Sequence, residues 1–375
     1  MNGLKCFVKM TWIFYPLVLA VLMYLLLPFF PDFTEYVVSR VLFKIVTVPL
    51  GFVTSLLPFS FTELLVITAL PLVVTAVVLF VMRMKKTDSK KRTAIKAARC
   101  VAGFLSFAAL MYMLCHGANY YRRTASELME LDTSPKSAEQ LTELCMYLGE
   151  KAAQARSEIT DSSAEYVFSE DMFTELSRAG NGYDKLVAEH PWLWTSVWRQ
   201  KPVQLSYLWS YTGIVGMYFP FFAECNVNIE QPDYAIPFTA AHESAHSRGV
   251  AFEDECNFYA FLSCINSDYP EYRYSGYLNG FIFCANALHD YDKELWEQAW
   301  SVVTDGMRAD IVADNDYIDR FANTVIDGPG DLDINPWEAA GDINDAFIKS
   351  QGVTDGALSY DRVTELILAY YYTEK

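Results

Sequence analysis

The segment HESAH at residues 242–246 holds the residues of this chain that are best suited to chemistry. His242 and His246 are four residues apart, so on a helix both imidazoles lie on one face and can reach one metal ion. Glu243 lies between them and can approach a water that the metal holds. This HExxH arrangement is typical of zinc peptidases, and it predicts that His242 and His246 bind Zn²⁺.

An acidic run at residues 253–255 offers a third ligand, which a catalytic zinc site normally has. Neighbours on a helix point in different directions, so one member of the run suits the metal. Glu253 shares its helix face with small and polar residues, whereas Glu255 lies on an aromatic packing face. Glu253 is therefore the expected ligand and Glu255 the alternative, with Gly249 giving the chain reversal that either requires.

Asn257 follows Glu253 by one helical turn. Zinc-bound histidines need an oxygen acceptor at their second ring nitrogen. The amide oxygen of Asn257 could serve His242 or His246 in this way, and the alternative is an amide on the helix surface.

The chemistry expected from these residues is hydrolysis of a peptide bond. Zinc lowers the pKa of its bound water towards about 7 and polarises a carbonyl. Glu243 then acts as general base and passes the proton to the leaving amine. A further hydrogen-bond donor should stabilise the oxyanion that forms on the substrate carbonyl. We look for it in the cluster at residues 273–277, where Tyr274 is the first candidate. The alternative, a structural tyrosine in the core, is the more common role for any one of these residues.

The elements that position these residues follow from the hydrophobic pattern. Residues 237–247 are predicted to form the motif helix and residues 253–265 a second helix. Residues 218–229 include an alternating stretch that indicates a strand, either an edge that pairs with an extended substrate or a plain hairpin. Further helices are predicted at residues 137–156, 163–178, 346–350 and 359–372, with a loop at residues 326–336.

The composition divides the chain near residue 116. The chain has 375 residues, 52% of them hydrophobic, and a net charge of −17. Residues 1–116 contain twelve basic and four acidic residues, whereas residues 117–375 contain 17 basic and 42 acidic ones. An apolar region therefore precedes an acidic domain, whose charge argues against binding nucleic acid.

Three stretches of residues 1–116 are predicted to cross a membrane, namely residues 11–30, 64–82 and 97–115. Residues 36–57 are also apolar but carry Arg40, Lys44 and Pro49. We interpret that stretch as interfacial or re-entrant, with a fourth span as the alternative.

The basic loop at residues 83–99 indicates the orientation. Short loops rich in lysine and arginine stay in the cytoplasm. Residues 97–115 then carry the chain outward, and residues 117–375 are expected to form an extracytoplasmic domain. Met1 is expected in the cytoplasm if there are three spans.

Four blocks of the chain resemble a bacterial domain-of-unknown-function family of membrane proteins that are provisionally classed as zinc metallopeptidases. The blocks are SYTGIVGMYFPFFAECNVN, IPFTAAHESAHSRGVAFEDECNFYAFL, YRYSGYL and FIKSQGVTDGALSYDRVTELILAYY. With the N-terminal spans, the resemblance covers nearly the whole chain. It implies membrane anchoring, zinc and a predominantly helical zincin-like fold with a small sheet edge, and it names no substrate.

The sequence departs from its relatives at two positions. Cys256 stands where that family has alanine, which leaves the ligands intact. The chain is also similar, more distantly, to gluzincins, where a glutamate on the helix after HExxH is the third ligand. Glu253 matches that glutamate, while Asn257 stands where gluzincins have aspartate.

The sequence thus predicts a membrane-anchored zinc metallopeptidase in the bacterial cell membrane, with the lipid bilayer and a peptide or protein substrate as partners. The alternatives are a zinc-binding membrane sensor or transducer and a non-catalytic binding protein with the same fold.

Overall fold

The computed structural model describes residues 11–160, 162–327, 333–353 and 362–373. These residues are mainly helical, with two small sheets. The prediction of a mainly helical protein with apolar N-terminal helices and a small sheet is confirmed.

Four N-terminal helices are long and apolar enough to cross a membrane: α1 (Trp12–Phe29), α2 (Pro31–Ser55), α3 (Phe61–Lys86) and α4 (Lys90–Cys115). Three of them, α1, α3 and α4, correspond to the predicted spans. The fourth, α2, contains the stretch predicted as interfacial or re-entrant, and it is π-helical over Thr34–Leu42.

The helices α1 and α4 run in the same direction. The amide of Leu17 donates to Ser106 Oγ, and further along both helices Leu27 and Met113 belong to one buried cluster. Since α3 and α4 are joined by the short basic loop and pack together, α3 runs the opposite way. The C-terminal ends of α1 and α4 and the N-terminal end of α3 therefore lie on the side where the helical domain is.

Most of the remaining helices build that domain around one core, whereas Ile348 lies in a smaller cluster with Tyr120 and Ala251. The longest, α6 (Ala138–Ile159) and α12 (Pro270–Tyr291), pack along each other. The others are α5 (Ala125–Leu128), α7 (Met172–Ser177), α8 (Asn181–Glu189), α9 (Ser206–Ser210), α10 (Ile236–Ser247), α11 (Glu253–Ile265), α13 (Lys293–Ala299), α14 (Asp305–Ala322), α15 (Pro336–Ser350) and α16 (Val363–Thr373).

A three-stranded sheet covers one side of α10. It contains β1 (Lys201–Pro202), β2 (Gly216–Phe219) and β3 (Glu224–Val227) in the order β1-β3-β2. The strands β2 and β3 are antiparallel, whereas β1 pairs parallel with β3. The strand β2 is thus an outer strand, and both β2 and β3 pack on α10.

Several predicted boundaries change in the structure. The helix predicted at residues 163–178 is confined to Met172–Ser177, and the short one at 346–350 is the end of the longer α15. The predicted strand at 218–229 is a hairpin. The loop predicted at 326–336 contains two short paired strands, β4 (Ile326–Asp327) and β5 (Asp333–Ile334). Residues 359–361 of the last predicted helix lie outside the described residues.

Candidate metal centre

The motif helix α10 and the following helix α11 form a tight unit. Pro237 lies in the first turn of α10, where its missing N–H costs no hydrogen bond. The helix ends at Ser247, and Gly249 reverses the chain with φ of +87°, which a side chain would strain. The helix α11 then begins at Glu253, as the sequence predicted.

Three ligand atoms converge between the two helices. His242 Nε2 lies 3.1 Å from Glu253 Oε2, and His246 Nε2 lies 3.5 Å from the same oxygen. The two imidazole rings are 5.1 Å apart between their centroids. The structure therefore brings together the two histidines and the carboxylate that the sequence selects as metal ligands.

The second nitrogen of each imidazole faces an oxygen acceptor. His242 Nδ1 lies 2.7 Å from Asn257 Oδ1, and His246 Nδ1 lies 3.0 Å from the carbonyl oxygen of Val250. A hydrogen-bond acceptor beside Nδ1 keeps the imidazole proton on Nδ1. The lone pair of Nε2 is then free to bind a metal. The structure thus places Asn257 where the sequence argument assigns it.

Cys256 is a second possible ligand that the sequence analysis passed over. One ligand atom from each of His242, His246 and Cys256 lies within 4.8 Å of the other two, so this trio could hold a metal ion. However, Cys256 Sγ lies 3.2 Å from Nδ1 of His246, on the ring side that also faces Val250. Glu253 faces the Nε2 atoms instead, which makes it the better placed third ligand.

Glu255, the alternative ligand, is directed elsewhere. Its Oε1 accepts the backbone N–H of Ala125 at 2.6 Å. Burial raises the pKa of the Glu255 carboxyl to about 8. Burial alone would also raise the pKa of Glu253, but His246 and His242 beside it hold that pKa below its ordinary value. Glu253 is therefore the carboxylate that is kept ionised next to the histidines.

Glu243 is buried beside the converging atoms. Its Oε2 has no hydrogen-bond partner among the described residues. Burial raises the pKa of this carboxyl, against the opposing effect of His242 and His246. A buried carboxylate oxygen without a partner is costly unless a water or ligand binds it.

The outer strand β2 lies directly against Glu243. A methyl group at Gly216 would come within 2.4 Å of Glu243 Oε1, so a larger residue at position 216 would displace the Glu243 carboxylate. The ring of Tyr218, also in β2, stacks on His246 at 6.3 Å between centroids.

The structure does not bring Tyr274 to the histidines. Tyr274 is fully buried in the core, and its hydroxyl donates to Asp310. Its ring neighbours are Tyr166 and Tyr234. The described contacts of Tyr274 therefore match the structural alternative for this residue.

His116 is a neighbour of the site that sequence reasoning missed. Its ring lies 5.6 Å from that of His246 and 6.3 Å from that of Tyr218, between centroids. Burial lowers the pKa of His116 to about 3, so its imidazole is neutral. Because it lies 126 positions before His242, no local spacing connects the two residues. Histidine is rare in this chain, which has five, and this rarity was the sequence feature that could have drawn attention to His116.

The fold and the site define a mainly helical protein with candidate membrane-spanning helices and a histidine-containing cluster that could hold a metal ion. A family model described as "Protein of unknown function (DUF3810)" matches residues 38–368. The chain belongs to this uncharacterised family, which gives no activity. No curated protein and no solved structure matches the chain.

Proposed function

We propose that this chain is a membrane-anchored zinc metallopeptidase with a zincin-like site in its helical domain. The convergence of His242 Nε2, His246 Nε2 and Glu253 Oε2 is the observation that carries this proposal. Two imidazoles and one carboxylate are a common ligand set for a catalytic zinc, and they leave a position open. Zinc would supply Lewis acidity towards the attacking water and the scissile carbonyl.

Glu243 is the general base in this proposal. Its unpartnered Oε2 is available to accept a proton from the attacking water and to return it to the leaving amine. The raised pKa of this carboxyl suits proton transfer at neutral pH better than an ordinary glutamate would.

The strand β2 supports a role in holding the substrate. It is an outer strand of its sheet, and Gly216 and Tyr218 lie beside the site. An extended peptide that paired with β2 would run past Glu243.

The proposed setting is the bacterial cell membrane. The directions of α1, α3 and α4 are those expected if each of the three crosses the membrane once. The basic loop at residues 83–99 indicates that the domain is extracytoplasmic. The lipid bilayer and a peptide or protein are the proposed partners, and the acidic charge argues against nucleic acid. A reporter fused after Lys375 that was active only in the cytoplasm would refute this orientation.

The decisive experiment measures metal content and peptide hydrolysis on the purified full chain. We expect about one zinc per chain, and hydrolysis of some members of a peptide library. Glu243→Gln should retain zinc and lose at least about 100-fold in rate. Glu297→Gln, at an exposed carboxylate on α13, is the matched control and should behave as the unmodified protein. Absence of stoichiometric metal, or full activity of Glu243→Gln, would contradict the proposal.

A further inference from the structure

The metal centre lies at the end of a candidate membrane span. The helix α4 ends at Cys115, and the next residue, His116, places its ring 5.6 Å from that of His246. The side chain in contact with the site thus belongs to the residue that directly follows a helix that could cross a bilayer.

A second candidate span starts close to the same site. The first amides of α3, from Phe61 and Thr62, donate to the carboxylate of Glu224 at 3.1 and 2.9 Å. Glu224 belongs to β3, which pairs with β2 and packs on the motif helix. The helix ends that would face the membrane surface therefore meet the sheet and helix that form the site.

The helix α2 lies along the domain between these two spans. Near its start Glu35 binds Arg122, in its middle Lys44 Nζ donates to the carbonyl of Trp194, and near its end Thr54 Oγ1 donates to the carbonyl of Phe222. Contacts along the whole length mean that the helix axis follows the domain surface.

The outward face of α2 is apolar. Its exposed large side chains include Val37, Val41, Ile45, Phe52 and Val53. Trp194 and Trp198 are also about half exposed, and Lys44 lies over the ring of Trp194. Apolar residues bordered by tryptophan and lysine are typical of a helix that rests in the membrane interface.

From these positions we infer that the site operates at the membrane surface, and that its substrates are membrane-anchored polypeptides cleaved in the extended segment next to their anchor. The outer face of α2 contacts the lipid, and the anchor of the substrate remains in the same bilayer. This inference rests on the proposed peptidase function.

The reaction is ordinary amide hydrolysis. The oxygen of water bonds to the carbonyl carbon, the carbon–nitrogen bond breaks, and the leaving nitrogen takes a proton. One product keeps the membrane anchor, and the other is released as a soluble chain with a new terminus.

Spacer length distinguishes a site at the surface from a distant one. The full chain is reconstituted into vesicles of phosphatidylcholine and phosphatidylglycerol in equal amounts. A peptide that the free enzyme cleaves is joined to an apolar helix of about 20 residues. The spacer has either about four residues, reaching at most roughly 14 Å, or about 25 residues.

We expect the short-spacer substrate to be cleaved with a kcat/KM at least about 10-fold above that of the free peptide, because anchoring raises the local concentration. It should also be cleaved at least as fast as the long-spacer substrate. Cleavage of the long-spacer and free peptides while the short-spacer substrate resists would overturn the inference. Equal kcat/KM for the short-spacer and free peptides would overturn it as well.

A fluorescence measurement that requires no hydrolysis tests only whether the site lies at the membrane surface. A fluorophore is attached at Val215→Cys, an exposed position beside β2. Cys100, which is exposed, and Cys6 are first replaced by serine. Nitroxide lipids labelled near the headgroup should quench it strongly, and more than the same fluorophore at Tyr291→Cys on α12, which packs within the domain. Absence of quenching at position 215 overturns the inference. Quenching there without hydrolysis of any peptide overturns the peptidase proposal, and with it the substrate class.

Discussion

The Nδ1 atom of His242 lies 2.7 Å from the Oδ1 atom of Asn257, one turn beyond Glu253 on α11. This contact orients the imidazole of His242 and directs its Nε2 towards Glu253. A residue outside the ligand set thus determines which ring nitrogen faces the proposed metal.

Replacing Asn257 by alanine should weaken zinc binding about 10- to 100-fold, because His242 loses the acceptor that fixes its ring. Asn257→Asp keeps an acceptor and should retain most of the affinity. Competition with a chromogenic chelator measures both. Asn323→Ala, at an exposed amide directly after α14, serves as control. Unchanged affinity in Asn257→Ala would remove Asn257 from the site.

The choice between Glu253 and Cys256 as third ligand can be made by substitution. Glu253→Gln should reduce zinc content to well below one per chain, because the carboxylate is lost from the point where both Nε2 atoms converge. Cys256→Ala should leave zinc content unchanged, since its sulfur faces Nδ1 of His246. Elemental analysis of the purified variants gives the answer, and the reverse pattern would assign the metal to the trio with Cys256.

The buried pair of Arg122 and Glu35 should be important for stability. Arg122 makes two hydrogen bonds to Glu35, at 2.7 and 2.9 Å, and a third to the carbonyl of Gly249 at 2.8 Å. Arg122→Met would leave the buried carboxylate of Glu35 with only the partly exposed Arg40 as its partner. Losing the more buried of its two partners should cost up to about 3–5 kcal/mol in the free energy of unfolding. It should also weaken zinc binding, because Gly249 lies in the turn between the two helices of the site.

Arg123 provides the matched control for this experiment. It pairs with Asp32, and both side chains are exposed, so Arg123→Met should change the free energy of unfolding little. Denaturant unfolding in detergent compares the two variants. A similar small cost for both would show that the Arg122 pair does not contribute as its burial indicates.

Glu175 should make stability depend on pH. Burial raises the pKa of this carboxyl from 4.5 to about 7, although Arg178 beside it acts in the opposite direction. Between about pH 4.5 and pH 7, the Glu175 carboxyl is therefore protonated in the folded protein and ionised in the unfolded chain. Because unfolding releases this proton, the free energy of unfolding should fall as pH rises through that window.

Glu175→Gln should flatten this dependence and raise the melting temperature above pH 7 by about 2–4 °C. Thermal unfolding monitored by tryptophan fluorescence across the pH range measures it. A melting temperature of Glu175→Gln that still falls in parallel with that of the unmodified chain would assign the pH dependence to other groups.

The sequence predicted the motif helix and the helix after it to within a residue, because both have strong local signals. HExxH has helical spacing, Pro237 marks the start, and Gly249 marks the turn. The helix predicted at residues 163–178 was largely wrong, since most of that stretch is held by tertiary contacts. Arg156, for example, donates to the carbonyl of Ala164, and Tyr166 N–H donates to Asp310.

The role suggested for Tyr274 depended on information that the sequence does not contain. Tyr274 is close to the motif along the chain, but its helix α12 turns it towards Asp310 on α14. His116 is remote along the chain, and yet its ring contacts that of His246. Proximity in sequence was therefore a poor guide to the residues around the candidate centre.

By itself the sequence determined the helical class, the apolar N-terminal helices, and the pairing of two histidines with a following carboxylate, because these depend on periodicity within one or two helices. Only the tertiary structure decided that Cys256 and His116 lie beside the centre, that Glu255 and Tyr274 are directed elsewhere, and that α2 follows the domain surface. These outcomes depend on how separate elements pack against one another, and such packing leaves no local pattern in the sequence.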